Sequence, residues 1–99
     1  MSPEFSMIVL IPSFNSGEML SKTVARAMEY HQPVLVVSDG STDGSVAGLC
    51  REFRGREGLA VIELPQNGGK GEAVSHGLRY AMENQHTHAL VLDADGQHP

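Results

Sequence analysis

Four short apolar runs, each ended by a polar break, constrain the fold of this chain more than any other feature. They cover residues 7–11, 34–37, 59–64 and 89–92 and consist largely of Val, Ile and Leu. Runs this short, bounded by Gly and Pro, read as strands buried on both faces. Between them, apolar residues recur at helical spacing. Leu20, Val24, Ala27, Met28 and His31 predict a first helix that ends near Tyr30, before Pro33. Asn15 with Glu18 three residues later resembles a capping box at its start. Val46, Leu49, Cys50 and Phe53 mark the inner face of a second helix, with Ser41 or Thr42 as its cap and Asp43 in its first turn. Arg51, Arg54 and Arg56 at its end read as a solvated face. Val74, Gly77, Leu78, Ala81 and Met82 predict the inward stripe of a third helix over residues 71–84. Strand and helix alternate three times before a last strand. This pattern predicts an α/β fold, a Rossmann-like parallel sheet in the order 3-2-1-4 with helices on its faces.

Composition narrows the possibilities. The 99 residues are 40% hydrophobic and 19% charged, as in one small globular domain. The net charge of −5, the lack of a Lys/Arg cluster and an aromatic content of 5% exclude a nucleic-acid surface. Cys50 is the single cysteine, so no internal disulfide can form, and its spacing predicts a core position. No apolar run approaches the ~18 residues of a membrane span, and no signal peptide is visible. A cytoplasmic location is expected, with any longer parent protein at the cytoplasmic face of a membrane. Residues 1–6 look like a tail derived from a cloning site, which leaves 7–99 as the domain. The sequence stops at Pro99, just past its most chemical stretch, so a piece of a longer protein is expected.

That stretch is Asp93-Ala94-Asp95-Gly96-Gln97-His98. A buried strand cannot hold two ionised carboxylates in its interior, so Asp93 and Asp95 belong where the last strand emerges. Alternation points them the same way while the chain is extended, and two like charges that close call for a cation between them. Carboxylates suit hard ions such as Mg²⁺ or Mn²⁺. An Asp-Gly turn at a strand end is the plainer reading of the same residues. All four polar breaks follow strands: residues 12–15, 39–41, 67–71 and 93–98. In a parallel sheet they share the carboxyl edge, where open α/β sheets bind ligands. The Gly-rich break has neither P-loop nor dinucleotide spacing, yet Lys70 beside a helix N-terminus can meet a phosphate. His86 and His88 read as structural or solvent-facing, because two ligands make a poor metal site.

The segments PSFN, VSDGSTDGS, NGGKGEAVSHGL and DADGQHP together resemble family 2 glycosyltransferases with a GT-A fold. The last segment is most similar to the branch of dolichol-phosphate mannose synthase and the polyprenyl-phosphate glycosyltransferases. The resemblance covers residues 7–99 and implies the nucleotide-sugar half of a hexosyltransferase domain. It implies a nucleotide-diphospho-sugar donor, Mg²⁺ or Mn²⁺ as cofactor, and a polyprenyl phosphate or other acceptor. Asp39 matches the family's base-binding aspartate, with Ser38 where a first aspartate is usual. Pro12, Ser13 and Asn15 match the loop bordering the nucleotide. Asp93 and Asp95 match the DXD metal motif, Asp93 also facing the nucleotide, and Gln97 matches a metal-side position. The family's catalytic base and acceptor site are expected beyond Pro99. A nucleotide-binding half-domain without turnover and a receiver-like phosphotransfer domain are the rival readings. The apolar run 89–92, unbroken by Pro, would lie at the sheet's edge, so the chain is also expected to form a homo-oligomer through its fourth strand.

Overall fold

A computed structural model describes residues 5–94. Its elements alternate as β1 (Met7–Ser13), α1 (Glu18–Tyr30), β2 (Val34–Asp39), α2 (Ser45–Glu52), β3 (Leu59–Leu64), α3 (Lys70–Glu83) and β4 (His88–Val91). The strands form one sheet in the order β3-β2-β1-β4, every pairing parallel. This is the predicted Rossmann-like α/β order. β1 and β2 run past their apolar segments, because the pairing continues through Pro12 with Val37 and Ser13 with Ser38. The polar residues that follow are thereby fixed to a rigid edge.

Side-chain alternation divides the core into two layers. Val9, Ile11, Val34 and Val36 pack on one face against Leu20, Val24 and Met28 of α1 and Leu49 of α2. Ile8, Leu10, Leu35 and Val37 pack on the other face against Ala73 and Ala81 of α3. Burying both faces of β1 and β2 accounts for their continuous apolar sequence.

The inner faces of α2 and α3 differ from the sequence expectation. Cys50 is exposed, and α2 buries Val46 and Leu49, with Phe53 at its end. The position after Leu49 is rotated about 100° away from the sheet. In α3 the buried residues are Ala73, Gly77 and Ala81, while Leu78 and Met82 are 43% and 76% exposed. The reason is close approach. A Cβ at Gly77 would run into the side chain of Leu10, which is itself fully buried. The helix therefore sets its smallest residues directly on the sheet, with Val74 partly buried at the margin as expected, and turns Leu78 and Met82 away.

The helix starts also differ. α1, α2 and α3 have glycines at their N-caps, Gly17, Gly44 and Gly69, with no side-chain cap. Asn15 and Glu18 form no capping box, because Asn15 adopts φ 48° and turns its side chain to the loop after β2. Ser41, Thr42 and Asp43 all precede α2, which begins at Ser45.

Beyond the sheet core, Ser6 is tied to the approach to β4: its carbonyl accepts from the Thr87 and His88 amides at 2.8 and 3.0 Å. The Ser6 hydroxyl meets His86 Nδ1 at 2.9 Å, and the Phe5 ring packs on His88 with centroids 4.4 Å apart. Both histidines thus have structural partners, as expected. No helix among the described residues is long and apolar enough to cross a membrane.

Candidate functional site at the carboxyl edge

The strand order reverses between β1 and β4, and a cleft of about 240 Å³ opens there. Its lining comes from every polar break: Pro12 and Ser13 at the end of β1, Phe14 and Ser16 after it, Asp39 at the end of β2, Asn67, Gly69 and Lys70 at the approach to and start of α3, and Asp93 and Ala94 after β4. Five of the residues singled out from sequence, Pro12, Ser13, Asp39, Lys70 and Asp93, therefore converge on one cavity. Asp95, Gln97 and His98 lie outside the described residues.

Asp39 is the centre of this edge. It is 3% exposed, and its two carboxylate oxygens accept the Gly68 and Gly69 amides, each at 2.8 Å. Bonds from amides to an ionised carboxylate are stronger than neutral ones. They hold the Gly-rich loop against the end of β2 and aim the N-terminus of α3 into the cleft. Each oxygen keeps a further acceptor site, and the residue lines the cavity. Gly40 completes the clamp. Its φ of 75° suits glycine, and a Cβ there would come within 2.6 Å of the Asn67 amide nitrogen.

Asn15 is not among the residues lining the cleft. Its Oδ1 accepts the Thr42 and Asp43 amides at 2.7 and 3.2 Å, and its own amide donates to Ser41 Oγ at 3.0 Å. It ties the β1 loop to the β2 loop. Asp43 ties two helices: Oδ1 accepts the Ser45 amide and Oδ2 the Gly17 amide, both at 3.0 Å. The Ser45 hydroxyl and amide, with the Gly17 amide, hold its carboxyl below the ordinary carboxylate value. Ser13 is buried and its hydroxyl meets that of Ser16 at 2.9 Å, stiffening the turn that carries Phe14.

Lys70 and Asp93 form an ion pair across the mouth of the cleft, with side chains 61% and 49% exposed. Positive charge from α3's first turn and from Lys70 thus faces the acidic end of β4. Among the described residues no three His, Cys, Asp or Glu side chains cluster as a metal site. Asp39 is buried and bonded to two amides, so Asp93, half-exposed and paired with Lys70, is the carboxylate of the described cleft that a cation from solvent can reach. One hard oxygen donor beside a helix N-terminus is compatible with Mg²⁺ or Mn²⁺, which often takes one or two carboxylates and completes its shell with phosphate and water.

Sequence reasoning missed Ser16 and Ala73 as lining residues, and it placed Phe14 and Asn67 within the breaks 12–15 and 67–71 without giving either a role. An aromatic in the first post-strand loop was an available signal for Phe14, whose ring is 48% exposed at the cleft.

An open parallel sheet with a helix start, a lysine and two aspartates lining a cleft at its strand-order reversal defines an α/β domain of the class whose members bind ligands at the carboxyl edge. Residues 8–99 match the model of glycosyl transferase family 2, and the chain belongs to that family. It is 31% identical to the dolichyl-phosphate beta-glucosyltransferase of Drosophila melanogaster, over 96% of this chain and 32% of that protein. It is 31% identical to the undecaprenyl-phosphate mannosyltransferase of Micrococcus luteus, over 93% of this chain and 39% of that protein. A mannosyltransferase from Pyrobaculum calidifontis, solved in complex with GDP-Man and Mn²⁺, superposes with a TM-score of 0.75 at 25% identity, covering 91% of this chain and 27% of that one. The chain spans between 30% and 41% of the length of the first curated relatives it matches.

Proposed function

We propose that this chain is the donor-binding half of a family 2 glycosyltransferase domain, binding a nucleotide-diphospho-sugar with Mg²⁺ or Mn²⁺ at the β1/β4 cleft. The observation that carries this reading is the meeting of Pro12, Ser13, Asp39, Lys70 and Asp93 around one cavity at the strand-order reversal. The relatives named for transfer to dolichyl and undecaprenyl phosphate favour a polyprenyl phosphate as the acceptor of the complete protein.

In this reading Asp39 does two things. It pins the Gly-rich loop, and its remaining lone pairs accept a base N–H. The β1 loop borders the nucleoside, with the Phe14 face available to the base. Lys70 and the first amides of α3 receive the diphosphate. Asp93, with Asp95 and Gln97, holds the divalent ion. When bound, that ion supplies Lewis-acid neutralisation of the charge that grows on the diphosphate as the sugar leaves. The protein's share is to hold the diphosphate in register and to keep its charge paired.

Titration calorimetry of the 99-residue chain with GDP and UDP, with and without Mn²⁺, tests the reading. Binding should require the metal, and Asp95→Ala should weaken it by about tenfold or more, the loss expected for a charged ligand contact. Equal binding in EDTA would rule out the metal role. The chain alone should transfer no sugar to a polyprenyl phosphate, because it spans only 30% to 41% of the length of the first curated relatives it matches. Turnover onto polyprenyl phosphate by the purified chain would refute that part. The β4 edge is also proposed as a self-association surface.

A further inference from the structure

We propose that Lys70 is the counter-ion of Asp93 in the metal-free chain, and that a divalent cation must displace it, freeing the ammonium for the diphosphate that arrives with the metal. This rests on the donor-binding reading above and adds an order of events to it. Lys70 Nζ pairs with Asp93 Oδ1, the same carboxylate that is open to a cation. An ammonium and a divalent ion repel one another, so the carboxylate cannot serve both well. The other acid lining the cleft, Asp39, is committed to the Gly68 and Gly69 amides.

The pair is built to break. Both side chains are about half exposed or more, and exposed ion pairs hold weakly. Its two ends differ in freedom. The backbone of Lys70 is fixed, because the residue before it is clamped to Asp39. Its ammonium rides on a flexible four-carbon stem. Displacement therefore moves the charge without moving the loop, and the released ammonium stays at the α3 N-terminus, where an anion is favoured. Lys70 then has opposite effects on the two ligands. It opposes the metal alone, and it attracts the diphosphate once the metal is present. Metal and nucleotide become positively coupled through one side chain, and by linkage each raises the affinity for the other equally.

The test uses the whole chain with Mn²⁺ alone, counted by the paramagnetic resonance signal of the free ion, in wild type, Lys70→Gln and Asp93→Asn. Lys70→Gln should tighten Mn²⁺ binding by about two- to fivefold, the range an exposed ion pair spans. In the presence of Mn²⁺ the same variant should weaken GDP by about tenfold. Isotope-labelled lysine gives a second readout, because the chain has two lysines, Lys22 and Lys70. Mg²⁺ should shift the Lys70 side-chain resonance and leave that of Lys22 unmoved, and Asp93→Asn should abolish the Mg²⁺ response. If Asp93→Asn removes Mn²⁺ binding but Lys70→Gln leaves it unchanged or weaker, the displacement is overturned and the metal reading stands. If Asp93→Asn leaves Mn²⁺ binding intact, both are overturned.

Discussion

Asp39 and Asp43 show how much of the sheet's carboxyl edge is held in place by single carboxylates. Asp39 accepts the amides of Gly68 and Gly69 with one oxygen each. Asn at this position keeps one acceptor oxygen and puts an NH₂ group against the other glycine amide. Asp39→Asn should therefore lower stability by about 1.5–3 kcal/mol in urea unfolding, the range for a bond to a charged group lost in a buried place. It should also speed amide exchange at Gly68 and Gly69. Asp43 works in the open, between the first amides of α1 and α2. Its carboxyl is held below its ordinary value of 3.8 by the Ser45 hydroxyl and amide and by Gly17. A depressed acid stabilises the fold above its unfolded pKa, and that contribution is lost as pH falls through its folded value. Wild type should exceed Asp43→Ala in stability by a constant amount from pH 5 to pH 7, and the gap should shrink below about pH 4. A gap that widens with acid would reverse the assignment. The acids were legible in the sequence as loop residues after a strand, but their partners were not. Residues 39 and 68 meet only because β2 ends and α3 begins at the same edge. The local reading of Asn15 and Glu18 as a capping box failed for the same reason: the Asn15 oxygen meets amides on another loop.

At the scale of elements, periodicity identified every strand and helix, and the order 3-2-1-4 followed from right-handed crossovers. What it misjudged was rotation. Counting apolar residues put Leu78 and Met82 of α3 inward, whereas close contact with Leu10 selects the smallest residues for that face. Cys50 was misread alike, since a cysteine beside Leu49 fits the apolar count whichever side it faces. Two glycines in helices now carry opposite expectations. Gly77→Ala would push a methyl into Leu10, and overpacking of a rigid core costs about 1–3 kcal/mol. Shortening the neighbour with Leu10→Val should recover part of that loss, so the double variant should be more stable than the sum of the single effects predicts. At Gly48 in α2 a Cβ would meet nothing within 4 Å. Gly48→Ala should stabilise by about 0.5–1 kcal/mol through helix propensity alone. Chemical denaturation of the four variants checks both signs, and a stabilising Gly77→Ala would show that α3 can lift from the sheet at little cost.

At the scale of the whole molecule, the two edges of the sheet are unlike each other. β3 carries exposed Glu63 and is followed at once by Pro65, both of which discourage edge pairing. β4 carries Leu90 and Val91, 46% and 39% exposed, with Leu78 and Met82 of neighbouring α3 also open to solvent. No Pro interrupts it, and the first acidic residue after it is Asp93. A strand edge with free amides and carbonyls beside exposed apolar side chains is a template for another strand. In a two-fold dimer β4 would meet the same strand of a second copy, antiparallel, and both apolar surfaces would be covered together. Sedimentation at rising concentration should therefore reveal a monomer–dimer equilibrium in the isolated chain. Leu90→Lys places a charge in the middle of that edge and should shift the equilibrium to monomer, while reversing the charge of exposed Glu63 on β3 with Glu63→Lys should leave the equilibrium unchanged. The far-ultraviolet circular dichroism of each variant should match wild type. A strictly monomeric chain at every accessible concentration would sink the idea. Dimers that survive Leu90→Lys but not the β3 change would move the interface to the opposite edge.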